Sequence, residues 1–271
     1  LSSVRQDPPE ETSDYKEAVL RTIENEKETM LDSLNGVKVY PYRPWTTVEA
    51  AMWRLDDAIN NDSRIVENYK DGWVSAYREV IKRAAELYDI PAELLAGVAW
   101  IEVGGAPAFF DDAGYLLRSN LSEEQWNGLW NTIHDSSIGS KVFDFVPKLE
   151  QYSDYRPSES TSFGDLSMQL RVAALTLGIP PEMLDSASEK SLAKLLKNPR
   201  LCIMLAARHL ADLKQIDFPN TPSDELTQDE IIAIANRYNI GSEVSYETAA
   251  NHFYGQRFRD RLDIIKELLY E

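Results

Sequence analysis

Glu102 is the residue in this sequence best placed to do chemistry. It closes the stretch Ile90-Pro91-Ala92-Glu93-Leu94-Leu95-Ala96-Gly97-Val98-Ala99-Trp100-Ile101-Glu102-Val103-Gly104-Gly105, whose pattern predicts a buried helix. Pro91 suits the first helical position and the Gly104-Gly105 pair stops the helix, so Glu102 falls in the last turn. Leu95, Val98 and Glu102 recur at three and four residues, which places the carboxyl on the apolar stripe. Poor solvation there disfavours the charged form, and so does the negative end of the helix dipole. Both effects raise the pKa, as a general acid requires. The competing reading is a buried acid satisfied inside a structural network, paired for example with Arg171 or Arg237.

Other chemistries find little support. The three histidines, His134, His209 and His252, are far apart and share no ligand spacing, so no metal site is expected. A phosphate-cradling Gly-x-x-x-x-Gly-Lys, a dinucleotide glycine motif and a Gly-x-Ser-x-Gly elbow are all missing, and no cofactor is expected. The single Cys202 lies in an apolar helical run and reads as a small core side chain.

The elements that would position Glu102 read as mainly α. Residues 14–35 carry a partial apolar stripe ended by Gly36, Val39 to Trp45 is an extended proline-rich segment, and Thr46 or Thr47 caps a helix running to about Asn60. Residues 1–60 are thus expected to form an N-terminal helical extension, and 61–271 the main domain. A long helix from Ser63 to Tyr88, with a break at Asp71-Gly72, precedes the central one. Residues 106–161 are less regular, with a short helix from Ser122 to His134 and room for a small hairpin. Further helices follow over Ser167–Leu177, Ser188–Leu196, Pro199–Leu213 (capped by Asn198), Thr227–Tyr238 and Gln256–Tyr270.

The chain has 271 residues, 43% of them hydrophobic, which suffices for a sizeable core. No run approaches the ~20 apolar residues of a membrane span, and the first residues lack the apolar centre of a signal peptide. Net charge is −17, from 28 basic and 45 acidic residues. That balance argues against nucleic acid or an anionic membrane as partner.

Four stretches in this order resemble the soluble lytic transglycosylases and goose-type lysozymes. They are Ile90–Gly105 with its acid, Ser162-Phe163-Gly164-Asp165-Leu166-Ser167-Met168-Gln169-Leu170, Asn198 to Leu213, and Ala235-Asn236-Arg237-Tyr238-Asn239-Ile240-Gly241. In that family a helix ends at the catalytic glutamate, a Gly-Leu-Met-Gln motif lines the cleft, and an Ala-Tyr-Asn-Ala-Gly motif follows. Here Met168-Gln169 keeps the Met-Gln pair but loses Gly-Leu, and Tyr238-Asn239 and Gly241 keep the core of the last motif. The resemblance covers about residues 63 to 271 and implies a lysozyme-like fold.

It also implies cleavage of the β-1,4 link between N-acetylmuramic acid and N-acetylglucosamine in peptidoglycan, with Glu102 as acid/base. Gln169 would hydrogen-bond the sugar, Met168 would form an apolar wall, Tyr238 would bond Glu102 and Asn239 would donate to the sugar. As plain residues, Met168, Gln169 and Tyr238 fit helix and core packing equally. Asp111, Asp112 and Asp165 are candidates for a second carboxylate, Asp165 standing nearest the Met-Gln pair. A second carboxylate across the cleft gives a hydrolase, whereas a single acid lets the muramic 6-hydroxyl attack and leaves an anhydro-sugar. Trp126, Trp130, Phe109, Phe110 and Tyr115 read as core before sugar platforms. The resemblance further implies work in the periplasm or outside the cell, a glycan strand as partner, and, for a secreted antibacterial effector, an inhibitor or immunity protein. An inactive lysozyme-like scaffold that binds glycan or a protein is the alternative.

Overall fold

A computed structural model describes residues 12–46, 48–50, 52–53, 63–104, 108–135 and 155–271. The fold is mainly α, as the periodicity predicts. Among the described residues the helices with defined bounds are α1 (Thr12–Ser33), α2 (Arg64–Leu87), α3 (Ala92–Glu102), α4 (Ala108–Asn120), α5 (Glu123–Asp135), α6 (Leu170–Thr176), α7 (Ser186–Leu196), α8 (Pro199–Asp217), α9 (Gln228–Ile240), α10 (Tyr246–Ala250), α11 (Tyr254–Arg259) and α12 (Leu262–Tyr270). Two short antiparallel strands, β1 (Ser162–Phe163) and β2 (Met168–Gln169), make a hairpin before α6.

The apolar helix α3 is the hub. Leu94, Leu95, Ala96, Val98 and Ala99 have no exposed surface, and α2, α8, α9, α11 and α12 pack around them. Gly97 lets one of these neighbours come close: a Cβ there would run into the ring of Phe258 on α11, with the ring Cγ only 2.8 Å away. The inner face of α1 (Val19, Ile23, Met30, Leu34) joins the same core, and α1 packs on α7 and α8.

Several boundaries differ from expectation, each for a tertiary reason. Helix α2 runs unbroken through Asp71-Gly72. There the Asp71 carboxylate accepts from the Trp100 indole at 2.7 Å, and the open side of Gly72 faces the ring of Tyr42 at 3.8 Å, so packing overrides the weak local signal. Residues 108–120, expected to be irregular, form α4. It is anchored by Tyr115 donating to Glu189 at 2.9 Å, by Arg118 donating to Thr161 and by an Asp112–Lys197 pair. Ser167–Gln169 is hairpin, not helix. The expected last helix is two, α11 and α12, separated at Asp260-Arg261, where Arg261 turns back to Glu67 and Asp71 on α2. The cap expected at Asn198 is there, its side chain accepting from the backbone of Arg200 and Leu201, and Thr227, expected as the first residue of its helix, caps it instead. The expected end of a helix near Asn60 lies outside the described residues.

Candidate active site

Glu102 is the final residue of α3, followed by Val103 and by Gly104 in the left-handed region at φ +73°. The helix end is locked from α2. Lys70, itself buried, donates to the carbonyls of Trp100 at 2.8 Å and Ile101 at 2.7 Å, capping orphan acceptors with a positive charge where the dipole is negative. Trp100 bonds Asp71, and the Arg261 guanidinium lies 4.8 Å over the Trp100 ring. Glu102 therefore leaves a backbone fixed at several points, and it keeps part of its surface exposed.

Two hydroxyls face its carboxyl. Tyr254, the first residue of α11, donates to Glu102 Oε1 at 2.7 Å, and Ser167 approaches from the hairpin. Burial raises the Glu102 pKa above 4.5; the Tyr254 bond, the nearby Ser167 hydroxyl and the Lys70 charge oppose that rise without cancelling it. Burial also raises the Tyr254 hydroxyl well above its ordinary value, with the neighbouring Glu102 adding to it, so Tyr254 remains a donor. Its backbone N–H bonds His252 Nδ1. The fully buried Asn236 on α9 holds the start of α11 as well, donating to Ala249 O at 2.7 Å and accepting from Gly255 N at 2.5 Å.

Neither arginine named as a competing partner pairs with Glu102. Arg237 forms a bidentate pair with Asp217, at 2.6 and 2.9 Å, and donates to the carbonyls of Ser242 and Val244. Arg171 donates to Gln169 at 2.7 Å.

The hairpin that carries Ser167 is a tight construction. Gly164 at φ +75° and Ser167 at φ +50° turn the chain between β1 and β2, and a side chain on Gly164 would strike the Leu196 carbonyl and approach Cys202 Sγ to 3.1 Å. Tyr238 serves this hairpin: its hydroxyl donates to Leu166 O at 2.8 Å, so the bond to Glu102 expected of it is made by Tyr254 instead. Met168 is 2% exposed and packs in the core beneath the hairpin, so it presents no wall to a cleft. Gln169 is half-buried, with its carbonyl taken by Arg171. Asn239 is exposed at the end of α9 and makes no side-chain bond among the described residues. Asp165 accepts from the Trp73 indole at 2.9 Å, and burial raises its pKa.

Compared with family models, with curated proteins and with solved structures, the chain matches none. The residues of the site thus stand on their own geometry. Tyr115 is core, bonded to Glu189, and Trp126 and Trp130 stack on each other at 6.2 Å. The side chains of Phe109, Phe110 and Asp111 lie outside the described residues. Among the described residues no three acids, cysteines or histidines gather where a metal could sit, and no helix is long and apolar enough to cross a membrane. Two surface hollows, one along α5 and one beside Tyr77 with Lys194, Lys197 and Arg200, do not include Glu102. Its access is through its own exposed edge.

Three site residues carried no sequence signal of their own. Tyr254 lies in a short helix off any motif, Lys70 looks like a surface lysine of an amphipathic helix, and Ser167 occupies the place where the motif would have a different residue.

Proposed function

We propose that the chain is a peptidoglycan-cleaving glycosidase acting on the β-1,4 link between N-acetylmuramic acid and N-acetylglucosamine, with Glu102 as its acid/base. The observation that carries this reading is the state of that side chain: partly exposed, kept protonated to higher pH by burial, and held by the Tyr254 hydroxyl with no arginine on it. The protonated carboxyl gives its proton to the glycosidic oxygen. Tyr254 and Ser167, both of which favour the charged form, then steady the carboxylate left behind.

Asp165 is committed to the Trp73 indole, which favours the one-acid route. In that route the Glu102 carboxylate removes the proton of the muramic 6-hydroxyl, the oxygen attacks the anomeric carbon, and the product is an anhydro-sugar. The substrate places the work in the periplasm or outside the cell.

Incubating wild type and Glu102→Gln with purified peptidoglycan, and weighing the products by mass spectrometry, tests both parts. Soluble muropeptides lighter by one water are expected from wild type alone. Reducing ends would assign a hydrolase and a second carboxylate. Fragments from both proteins, or from neither, would rule out catalysis by Glu102 and leave a binding scaffold.

A further inference from the structure

Residues 37–46 do not trail away from the body; they lie along α2. The Tyr40 N–H donates to Ala76 O at 2.9 Å, the Arg78 guanidinium covers the Tyr40 ring at 3.8 Å, and Tyr42 packs against Tyr69 and Tyr77 at 5.5 and 6.5 Å. The segment ends at Trp45, whose ring stacks on Tyr69 with centroids 3.9 Å apart and planes 23° from parallel. Tyr69 is the residue before Lys70 and borders the chain just past the acid: a Cβ on Gly104 would sit 3.4 Å from Tyr69 Cδ1. Gly104, two residues past the acid, thus borders Tyr69, and Tyr69 carries Trp45.

We infer that Trp45, supplied by this N-terminal segment and backed by Tyr69, is a platform on which a pyranose of the glycan strand stacks beside Glu102. The inference rests on the glycosidase reading of that site. Trp45 is partly exposed, and its indole N–H has no partner among the described residues, whereas those of Trp73 and Trp100 are bonded to Asp165 and Asp71. One face is thus committed to Tyr69, while an edge donor remains for a sugar hydroxyl.

The ring is also held in place before any ligand arrives. Pro44 precedes it, and Thr46 and Glu49 exchange cap bonds just after it, the Thr46 N–H donating to Glu49 at 2.9 Å and the Glu49 N–H to Thr46 at 3.3 Å. Arg43 clamps the same Glu49 at 2.6 Å. A preorganised aromatic face binds with little loss of conformational freedom. Stacking is also indifferent to charge, which suits a chain of net charge −17 that must hold an acidic polymer.

The test uses the N-acetylglucosamine hexamer as probe and Trp45→Ala and Trp45→Phe as variants, each checked for an unchanged melting temperature. Trp45→Ala is expected to bind the hexamer about tenfold more weakly and to raise KM on peptidoglycan with kcat little altered, Trp45→Phe falling between. In the wild type, the hexamer should shift the indole N–H resonance that Trp45→Phe removes, a readout that holds even where Trp45→Ala fails to fold. Wild-type KM and hexamer affinity in Trp45→Ala, with wall cleavage intact, would overturn the platform and leave the glycosidase standing. Trp45-dependent hexamer binding by a protein that cleaves nothing would do the reverse. A wild type that does not bind the hexamer overturns the platform.

Discussion

Tyr254 and Glu102 are coupled through one hydrogen bond, so each leaves a mark on the other. The Tyr254 hydroxyl stabilises the carboxylate; its loss in Tyr254→Phe should raise the Glu102 pKa further and move the alkaline limb of the pH–rate profile to higher pH. The same change should lower kcat roughly 10- to 100-fold through lost positioning, while a limb that stays put would show the bond to be incidental. Stability carries a second mark. Because burial lifts the folded-state pKa of Glu102 above 4.5, charging the group costs stability as pH rises through that raised value. Glu102→Gln removes the cost and should melt higher than wild type at neutral pH, each kcal/mol recovered being worth about 2–4 °C in a chain of this size. Below pH 4.5, where the acid is protonated folded or unfolded, thermal melts of the two proteins should coincide.

At the scale of elements, α3 and α11 set the distance over which that bond is made. Gly97→Ala would gain about 1 kcal/mol of helix propensity, yet its Cβ would meet Phe258, and overpacking typically costs about 1–3 kcal/mol. The clash should win. Since Phe258 lies one turn after Tyr254 on the same helix, Gly97→Ala should lower both melting temperature and wall cleavage without touching a site side chain; a stable, fully active variant would show that α11 does not need that close approach. The sequence made α3 legible because Pro91, the apolar run and Gly104 all agree, and it placed Glu102 in the last turn for the same reason. Tyr254 was not legible. Its helix is six residues long, too short for periodicity, and its start is held by Asn236 from a different helix. Tyr238, with a motif to recommend it, was drawn instead to the Leu166 carbonyl because the strained hairpin needed a donor there. The hairpin itself, two residues on each side, leaves no alternation to read.

The whole molecule is strongly acidic, and so is the polymer proposed as its substrate. Screening acts within about 8–10 Å at moderate ionic strength, so raising salt from a few millimolar towards physiological levels should strengthen binding to purified wall or leave it unchanged. A steep loss, measured by cosedimentation, would point to a basic binding face that the charge balance gives no sign of. The chain also carries its own reporter of integrity. Cys202, the single thiol, lies fully buried against the turn at Gly164, and burial pushes its pKa up to about 12. A sulfhydryl that is neither ionised nor reachable reacts with an alkylating reagent only when the hairpin lifts away from α8. Its labelling rate therefore counts openings of the hairpin that brings Ser167 near the acid, with no engineered probe required.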